Sequence, residues 1–358
     1  MNCEKCGEKA RIKAAKTSKL FCASCFTEWF EKDVHDTIIK CSLFKRGEKV
    51  GIGASGGKDS IVLSHMMKRL NDRYDYGVEF YLICIDEGIK GYRDFSINSV
   101  IQSEKDLGIP LIILSYKELY GWTMDDIVAR IGKKNNCTFC GVFRRQALDR
   151  GAQKIQANKL LTGHNADDLA ETVYLNVLRG DTARLQRCGA NITGSEDSLP
   201  RAKPLKYSYE KDIVMYAYFN KLNYFSTECI YSPNAFRGNV RTLIKDLEAI
   251  RPRTIMDLIR SAESLTLKAD VFIPEKLLCE NCGYISSQKI CKACLLLTGL
   301  EKDDPHMGVS KKKKWKVEIE EFTPRLPPNN GTKMELKSSC GSKDEEKECG
   351  CAKAELDF

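Results

Sequence analysis

An apolar run, Val50-Gly51-Ile52, leads into Gly53-Ala54-Ser55-Gly56-Gly57-Lys58-Asp59-Ser60, which opens into Ile61-Val62-Leu63-Ser64-His65-Met66. The first run reads as a strand and the last as a helix, so the glycines fall in the turn between them. Such a turn directs unpaired backbone N–H groups and the positive end of a helix dipole at one point, a cradle for phosphate. Lys58 adds a point charge, and Ser55 and Ser60 add hydroxyl donors. The spacing is neither the P-loop nor the Gly-x-Gly-x-x-Gly dinucleotide turn. A Gly-rich turn without a ligand would not need both serines and the Lys-Asp pair, so the stretch reads as a phosphate site.

From residue 48 to about 251 apolar strands alternate with amphipathic helices. Strands are expected at 49–54, 79–86, 110–114 and 159–163, and helices near 59–71, 93–107, 125–130 and 138–154. Further helices follow at 209–223 and 238–265, the second broken at Pro252. This alternation predicts an α/β fold, a Rossmann-like parallel sheet covered on both faces. Ligands in such sheets bind beyond the carboxyl ends of the strands. The Gly-rich turn, Ile85-Asp86-Glu87-Gly88 and Gly163-His164-Asn165-Ala166-Asp167-Asp168 should therefore line one crevice. Asp86 suits a ribose or Mg²⁺ there, or the turn itself. Asp168 could act on the ligand or open a capping box with Glu171, and His164 could serve the site or only its own turn.

The chain has 358 residues, enough for one sizeable core with appendages, and a net charge of +8 compatible with a polyanionic partner. No apolar run reaches the ~20 residues needed to span a bilayer, and no export signal precedes Cys3, so a cytoplasmic protein is expected. Disulfides are then a poor explanation for seventeen cysteines. Their spacing gives a better one. Cys3-x2-Cys6-x15-Cys22-x2-Cys25 and Cys279-x2-Cys282-x8-Cys291-x2-Cys294 each supply four thiolates as two knuckles, the pattern of a closed, structural zinc site. The predicted plan is a zinc ribbon at 1–30, a linking helix within 31–47, the α/β domain at 48–270 and a second ribbon at 271–302. The tail at 303–358, with Lys311–Lys316 and Cys340, Cys349 and Cys351, is too poor in apolar residues to pack.

Cys137 and Cys140 form a fifth Cys-x-x-Cys pair inside the α/β domain. Two thiolates do not close a metal site, and Cys229 is the best third, ahead of Cys41, Cys84 and Cys188. Three cysteines suit a [4Fe–4S] cluster with one iron open, while a redox dithiol carrying a persulfide on Cys137 and a third zinc remain alternatives.

Taken together, the Ser-Gly-Gly-x-Asp-Ser turn resembles the PP-loop of the ATP pyrophosphatases. The order of ribbon, PP-loop, Cys-x-x-Cys, Gly-His-Asn-x-x-Asp, single cysteine and ribbon over residues 1–300 resembles the tRNA 2-thiolation enzymes, within them the cytosolic thiouridylase group. The resemblance implies a [4Fe–4S] cluster on Cys137, Cys140 and Cys229. It also implies ATP contacts at Ser55, Gly56, Gly57, Asp59, Ser60, the Ile85-Asp86 strand end, Gly163 and Asp168, with Ala54 and Lys58 in the same turn. Arg144 and Arg145 match a basic residue that functions in relatives, although where a relative has Lys, Arg cannot move a proton. With Arg237 and Arg241 they are placed to grip tRNA phosphates. The implied reaction is ATP-dependent exchange of the C2 oxygen of wobble uridine 34 for sulfur in tRNAs for Lys, Gln and Glu. The implied partners are a ubiquitin-like sulfur carrier and a related second subunit or a second copy. Alternatives are thiolation at another tRNA position, an adenylating ligase with a nitrogen nucleophile, and a non-catalytic zinc-ribbon tRNA-binding subunit.

Overall fold

The chain begins with a short antiparallel pair, β1 (Ile12–Lys13) and β2 (Leu20–Phe21), between the first two Cys-x-x-Cys knuckles. Helix α1 (Ala23–Lys40) starts directly on Cys22, inside the cysteine module rather than after it. Its apolar positions Phe26, Phe30, Val34 and Ile38 recur every fourth residue and are all buried, so one stripe faces inward. Each buries side-chain surface worth about 1.5–3 kcal/mol. In a computed structural model, residues 1–132, 135–193, 199–227, 229–231, 236–265, 277–304 and 306–309 are described. Lys311–Lys316 and Cys340, Cys349 and Cys351 lie outside these residues.

The body follows as β3 (Lys49–Gly53), α2 (Lys58–Tyr74), β4 (Glu79–Asp86), α3 (Arg93–Leu107), β5 (Leu111–Ser115), α4 (Tyr116–Tyr120), α5 (Met124–Ile131), α6 (Asn136–Lys154) and β6 (Lys159–Leu161). Then come α7 (Ala166–Leu178), α8 (Thr182–Gly189), β7 (Ile192–Thr193), β8 (Arg201–Ala202), α9 (Glu210–Phe219), α10 (Phe236–Ile250) and α11 (Thr254–Glu263). The second cysteine module holds β9 (Leu277–Leu278), β10 (Ile285–Ser286) and α12 (Lys292–Glu301). No helix among the described residues is long and apolar enough to cross a membrane.

One six-stranded sheet runs β5-β4-β3-β6-β8-β7, parallel except for the antiparallel edge strand β7. Val50 and Ile52 of β3 are fully buried between neighbours on both sides. The chain winds outward from β3 to β4 and β5, then returns to pair β6 on the other side of β3. The strand order therefore reverses between β3 and β6, and the crevice lies at that switch point.

The cysteine modules are built into the body. Cys3, Cys22 and Cys25 share one apolar cluster with α1, α2 and β3, whereas the second module packs with Phe139, Phe143 and Ala147 of α6 in another. Asp212 of α9 accepts from the Ala15 N–H at 2.9 Å and the Lys16 N–H at 3.3 Å, holding the first module in place. Glu31 of α1, fully buried, pairs with Arg69 at 3.0 Å and Arg73 at 2.7 Å, and accepts from the Tyr216 hydroxyl at 3.0 Å.

Candidate functional site

At the end of β3 the chain turns through Ala54, Ser55 and Gly56 into α2. Gly56 adopts φ +74°, and a Cβ there would lie 2.5 Å from the Ser96 carbonyl oxygen, so both conformation and space require glycine. The N-cap of α2 is Gly57, which offers no side chain to its first N–H groups and leaves them open to an anion. The turn is shaped from within: the Ser55 N–H donates to Ser60 Oγ at 3.2 Å, and Ser60 Oγ donates to the Gly57 carbonyl at 2.9 Å. Ser96 of α3 donates to the Ser55 carbonyl at 2.8 Å from the far side.

The end of β6 lies against this turn. A Cβ on Gly163 would sit 3.2 Å from the Asp59 side chain, and Asn165 Nδ2 donates to Asp59 Oδ1 at 2.9 Å. Asn165, not Asp168, caps α7. It accepts from the Asp168 N–H, while Asp168 supplies the reciprocal carboxylate at the third helical position. The box begins three residues earlier than the sequence suggested, because the short β6 releases the chain at Thr162. The other Asp168 oxygen meets Arg237 at 3.2 Å. Burial pushes the Asp59 carboxyl up from its ordinary range, against the pull of Lys58. Burial raises Asp168 as well, against the pull of Arg237. Lys58 bridges Asp59 at 3.3 Å and Glu210 of α9 at 2.9 Å, a partner that sequence reading did not single out. Ile85 and Asp86 end the neighbouring strand β4. Asp86 is engaged locally, accepting from the Gly88 N–H at 2.9 Å and pairing with Arg93 at 2.7 Å.

The Cys-x-x-Cys pair opens α6, with Cys137 exposed and Cys140 half-buried. The Tyr116 hydroxyl donates to the Cys140 carbonyl at 2.8 Å and fixes this turn to α4. Arg144, one turn on, places its guanidinium 3.3 Å from Cys140 Sγ and pairs with Glu87 at 2.8 Å. Burial pushes the Cys140 thiol up, and the Arg144 charge opposes it; the charge of Cys229 also reaches Cys140. The segment bearing Cys229 is anchored at both ends. Upstream, the Phe225 N–H donates to the Gly56 carbonyl in the PP-loop turn at 2.8 Å. Downstream, the Tyr231 carbonyl accepts from Asn136 at 3.0 Å and its hydroxyl donates to Asp125 at 2.6 Å. Of the weaker third-ligand candidates, Cys84 is buried in β4, Cys41 ends α1 and Cys188 donates to the Leu185 carbonyl at 2.9 Å.

Two groups of thiols are gathered more tightly: Cys3, Cys6, Cys22 and Cys25, and Cys279, Cys282, Cys291 and Cys294, each with its sulfurs within 4.8 Å of one another. Separations of 3.6 Å for Cys6–Cys22, 3.6 Å for Cys282–Cys291 and 3.9 Å for Cys279–Cys294 are far longer than a disulfide. They match the ~3.8 Å edge of a tetrahedron of sulfurs at ~2.3 Å from zinc. Cys137, Cys140 and Cys229 do not gather within that limit.

Residues 27–247 match a PP-loop domain model, and residues 278–308 match a zinc-ribbon model. The cytoplasmic tRNA 2-thiolation protein 1 of Caenorhabditis briggsae is 62% identical over 89% of this chain and 86% of its own length. The protein of the same name from Xenopus laevis is 59% identical over 87% of this chain and 92% of its own. The chain belongs to the cytoplasmic tRNA 2-thiolation protein 1 family. Among solved structures it is similar to the U34-tRNA thiolase NcsA from Methanococcus maripaludis with its [4Fe–4S] cluster, at TM-score 0.71 and 30% identity. That match covers 88% of this chain and 99% of the other.

In this member of the family, the PP-loop turn, the β4 end and the β6 end all stand at one edge of the sheet, as the strand pattern predicts. Arg144, Arg237 and Arg241 are ion-paired, to Glu87, to Asp168 and Glu171, and to Glu171 respectively. Sequence reading had offered all three to RNA. It had no signal for Asn136, Phe225 and Tyr231, whose partners lie far along the chain.

Proposed function

We propose that this protein is the cytoplasmic ATP-dependent enzyme that replaces the C2 oxygen of wobble uridine 34 by sulfur in tRNAs for Lys, Gln and Glu. One observation carries the reading beyond family membership. The Cys229 segment is hydrogen-bonded to the PP-loop through Phe225 and to the start of α6 through Tyr231. These ties support a reading in which the nucleotide turn and the three cysteines serve one crevice, as an activation step and a sulfur-transfer step on one carbon require.

In the proposed reaction the uridine C2 oxygen attacks the α-phosphorus of ATP, and the bond to the β-phosphate breaks. The open N-terminus of α2, with Ser55, Ser60 and Lys58, holds the departing pyrophosphate. Gly56 and Gly57 let it approach the backbone, and Ala54, Ile85 and Gly163 wall the nucleotide pocket. Asp59, Asp86 and Asp168 are the carboxylates available to Mg²⁺ and ribose. Cys137, Cys140 and Cys229 would hold a [4Fe–4S] cluster, whose open iron can bind and present sulfide. Arg144 keeps positive charge beside Cys140 and cannot shuttle a proton at neutral pH. Attack of sulfide sulfur on the activated C2 then breaks the C2–O bond, and AMP leaves with the oxygen. The modules at 1–30 and 271–302 each take one zinc as structural staples around the 48–270 domain. We further propose a ubiquitin-like protein as sulfur donor and a related subunit or second copy as partner.

Mass spectrometry of tRNA nucleosides from cells lacking this gene tests the position. Loss of 2-thiouridine at position 34 is expected. Its persistence with loss of another thiolated base would keep the chemistry and overturn the substrate.

A further inference from the structure

Three of the basic groups around the crevice are spent on carboxylates, but Arg145, Lys203 and His164 are not. Among the described residues, no carboxylate hydrogen-bonds to or ion-pairs with any of the three; His164 contacts Thr162 and Arg145 accepts only through its backbone carbonyl. We propose that Arg145, Lys203 and His164 form a receptor for one phosphodiester of the substrate RNA, beside the target nucleotide. The proposal rests on the tRNA reading above and names the residues that position the RNA.

The fold brings the three together from separate elements. Strands β6 and β8 pair in parallel with Leu161 beside Ala202, and the Thr162 N–H donates to the Ala202 carbonyl at 3.1 Å. The two chains leave the sheet side by side and deliver His164 and Lys203 to its carboxyl edge. Arg201 then locks α6 alongside, donating to the Arg145 carbonyl at 3.1 Å and pairing with Asp149 at 2.5 Å. Asp149 also accepts from the Tyr284 hydroxyl, so its hydrogen bonds go to Arg201 and Tyr284 and only its charge reaches Arg145. Arg145 and His164 are exposed and Lys203 is half-buried, so all three are open to a ligand.

The chemistry is that of an anion receptor. Arg145 offers a planar fork and Lys203 a point charge. Nδ1 of His164 lies 2.9 Å from Thr162 Oγ1. With that hydroxyl donating, Nε2 carries the hydrogen and donates outward from a neutral ring. Burial and then the neighbouring Lys206 push Lys203 down to about 8, and burial and then Arg201 lower Arg145. Desolvation by the surrounding crevice, followed by the charges of Lys203, Arg237, Arg201 and Arg145, pushes His164 down to about 4, although its edge is exposed. A bound phosphate removes that repulsion.

An RNA phosphate fits better than a nucleotide phosphate for a positional reason. The triphosphate already has the α2 N-terminus and Lys58. Arg145 instead adjoins Arg144, which touches Cys140, the side to which the proposed reaction assigns the reacting uridine. A base turned out of its stack needs its backbone held.

The test uses the full-length metal-loaded protein and an unmodified tRNA transcript, with binding followed by fluorescence anisotropy across a salt series. Removing one phosphate contact lowers the slope of log K against log salt by about 0.7–0.9. Arg145→Gln and Lys203→Gln should each lower the slope by about that amount, with KM for ATP unchanged. Arg145→Lys should keep the wild-type slope. His164→Gln, which removes no charge, should weaken binding several-fold at constant slope. An unchanged slope in a folded Arg145→Gln, Lys203→Gln double variant would overturn the receptor. A raised KM for ATP with an unchanged tRNA slope would assign the phosphate to the nucleotide and overturn it too. Absence of tRNA binding by the wild-type protein would instead sink the parent reading.

Discussion

The chain uses cysteine in two opposite ways. In the second ribbon all four thiols are buried, and Cys279 and Cys291 accept N–H donors from the Cys291 and Cys294 backbones at 3.1 and 3.4 Å. Asn281 adds a donor to Cys294 at 3.2 Å. The module's own backbone and Asn281 supply most of these donors, Gln146 of α6 adds contacts to Cys282 and Cys291 at 3.8 Å, and the four thiols are enclosed. Cys137, Cys140 and Cys229 come instead from a helix start and a distant segment, stand half-buried or exposed, and are held by others: Tyr116, Arg144, Asn136 and Tyr231. Where cysteines are local and enclosed they build structure. Where they are assembled from afar and left accessible, the proposed function assigns them chemistry.

The strongest way to break this comparison is to open a closed site. Structural zinc in small modules is worth on the order of 10 kcal/mol of folding free energy. Cys282→Ser should therefore lose about one zinc per chain and most soluble protein, because the ribbon packs on α6. A soluble, thermally unshifted Cys282→Ser protein would mean that the site is dispensable. Cys140→Ser should do the reverse, keeping both zinc ions and its melting temperature while losing iron and more than about 10³-fold in thiolation. Iron retained and zinc lost in elemental analysis would erase the distinction.

Asp59→Ala and Ser60→Ala sharpen it further. Each should cut tRNA-dependent pyrophosphate release by about 10²-fold or more while both metals stay bound, since these residues shape the anion cradle. Normal turnover by folded Ser60→Ala would remove the PP-loop from the mechanism. The smallest effect is expected from Asn136→Ala, which deletes the bond to the Tyr231 carbonyl. A loss of about 1 kcal/mol in stability is expected, with lower iron occupancy and unchanged zinc; a fall in zinc instead would place Asn136 among the structural residues.

Much of this arrangement was legible in local sequence. Strand β4 and helix α3 fall at residues 79–86 and 93–107, as their patterns predict. The PP-loop turn is fixed by neighbours within five residues. What stayed hidden is non-local or too short to be periodic. The two-residue strands β7 and β8 carry no alternation to detect. Helix α7 opens on Asn165-Ala166-Asp167-Asp168, which looks like a loop until the Asn165–Asp168 box is seen in place. Arg237 and Arg241 advertise positive charge, yet the buried carboxylate of Glu171 claims both. The tie between Phe225 and Gly56 joins residues so far apart that no motif could announce it.

The docking of α1 has a consequence for how the protein is made. The Glu31–Tyr216 bond closes a separation of 185 residues. At about 5–20 residues per second, synthesis delivers α9 roughly 10–40 s after α1. Throughout that interval Phe26, Phe30, Val34 and Ile38 lack the wall that later covers them. Until α9 arrives, the nascent chain therefore travels with this stripe covered on one side only, by the metal knuckle at its start and by α2, whose Arg69 and Arg73 already hold Glu31.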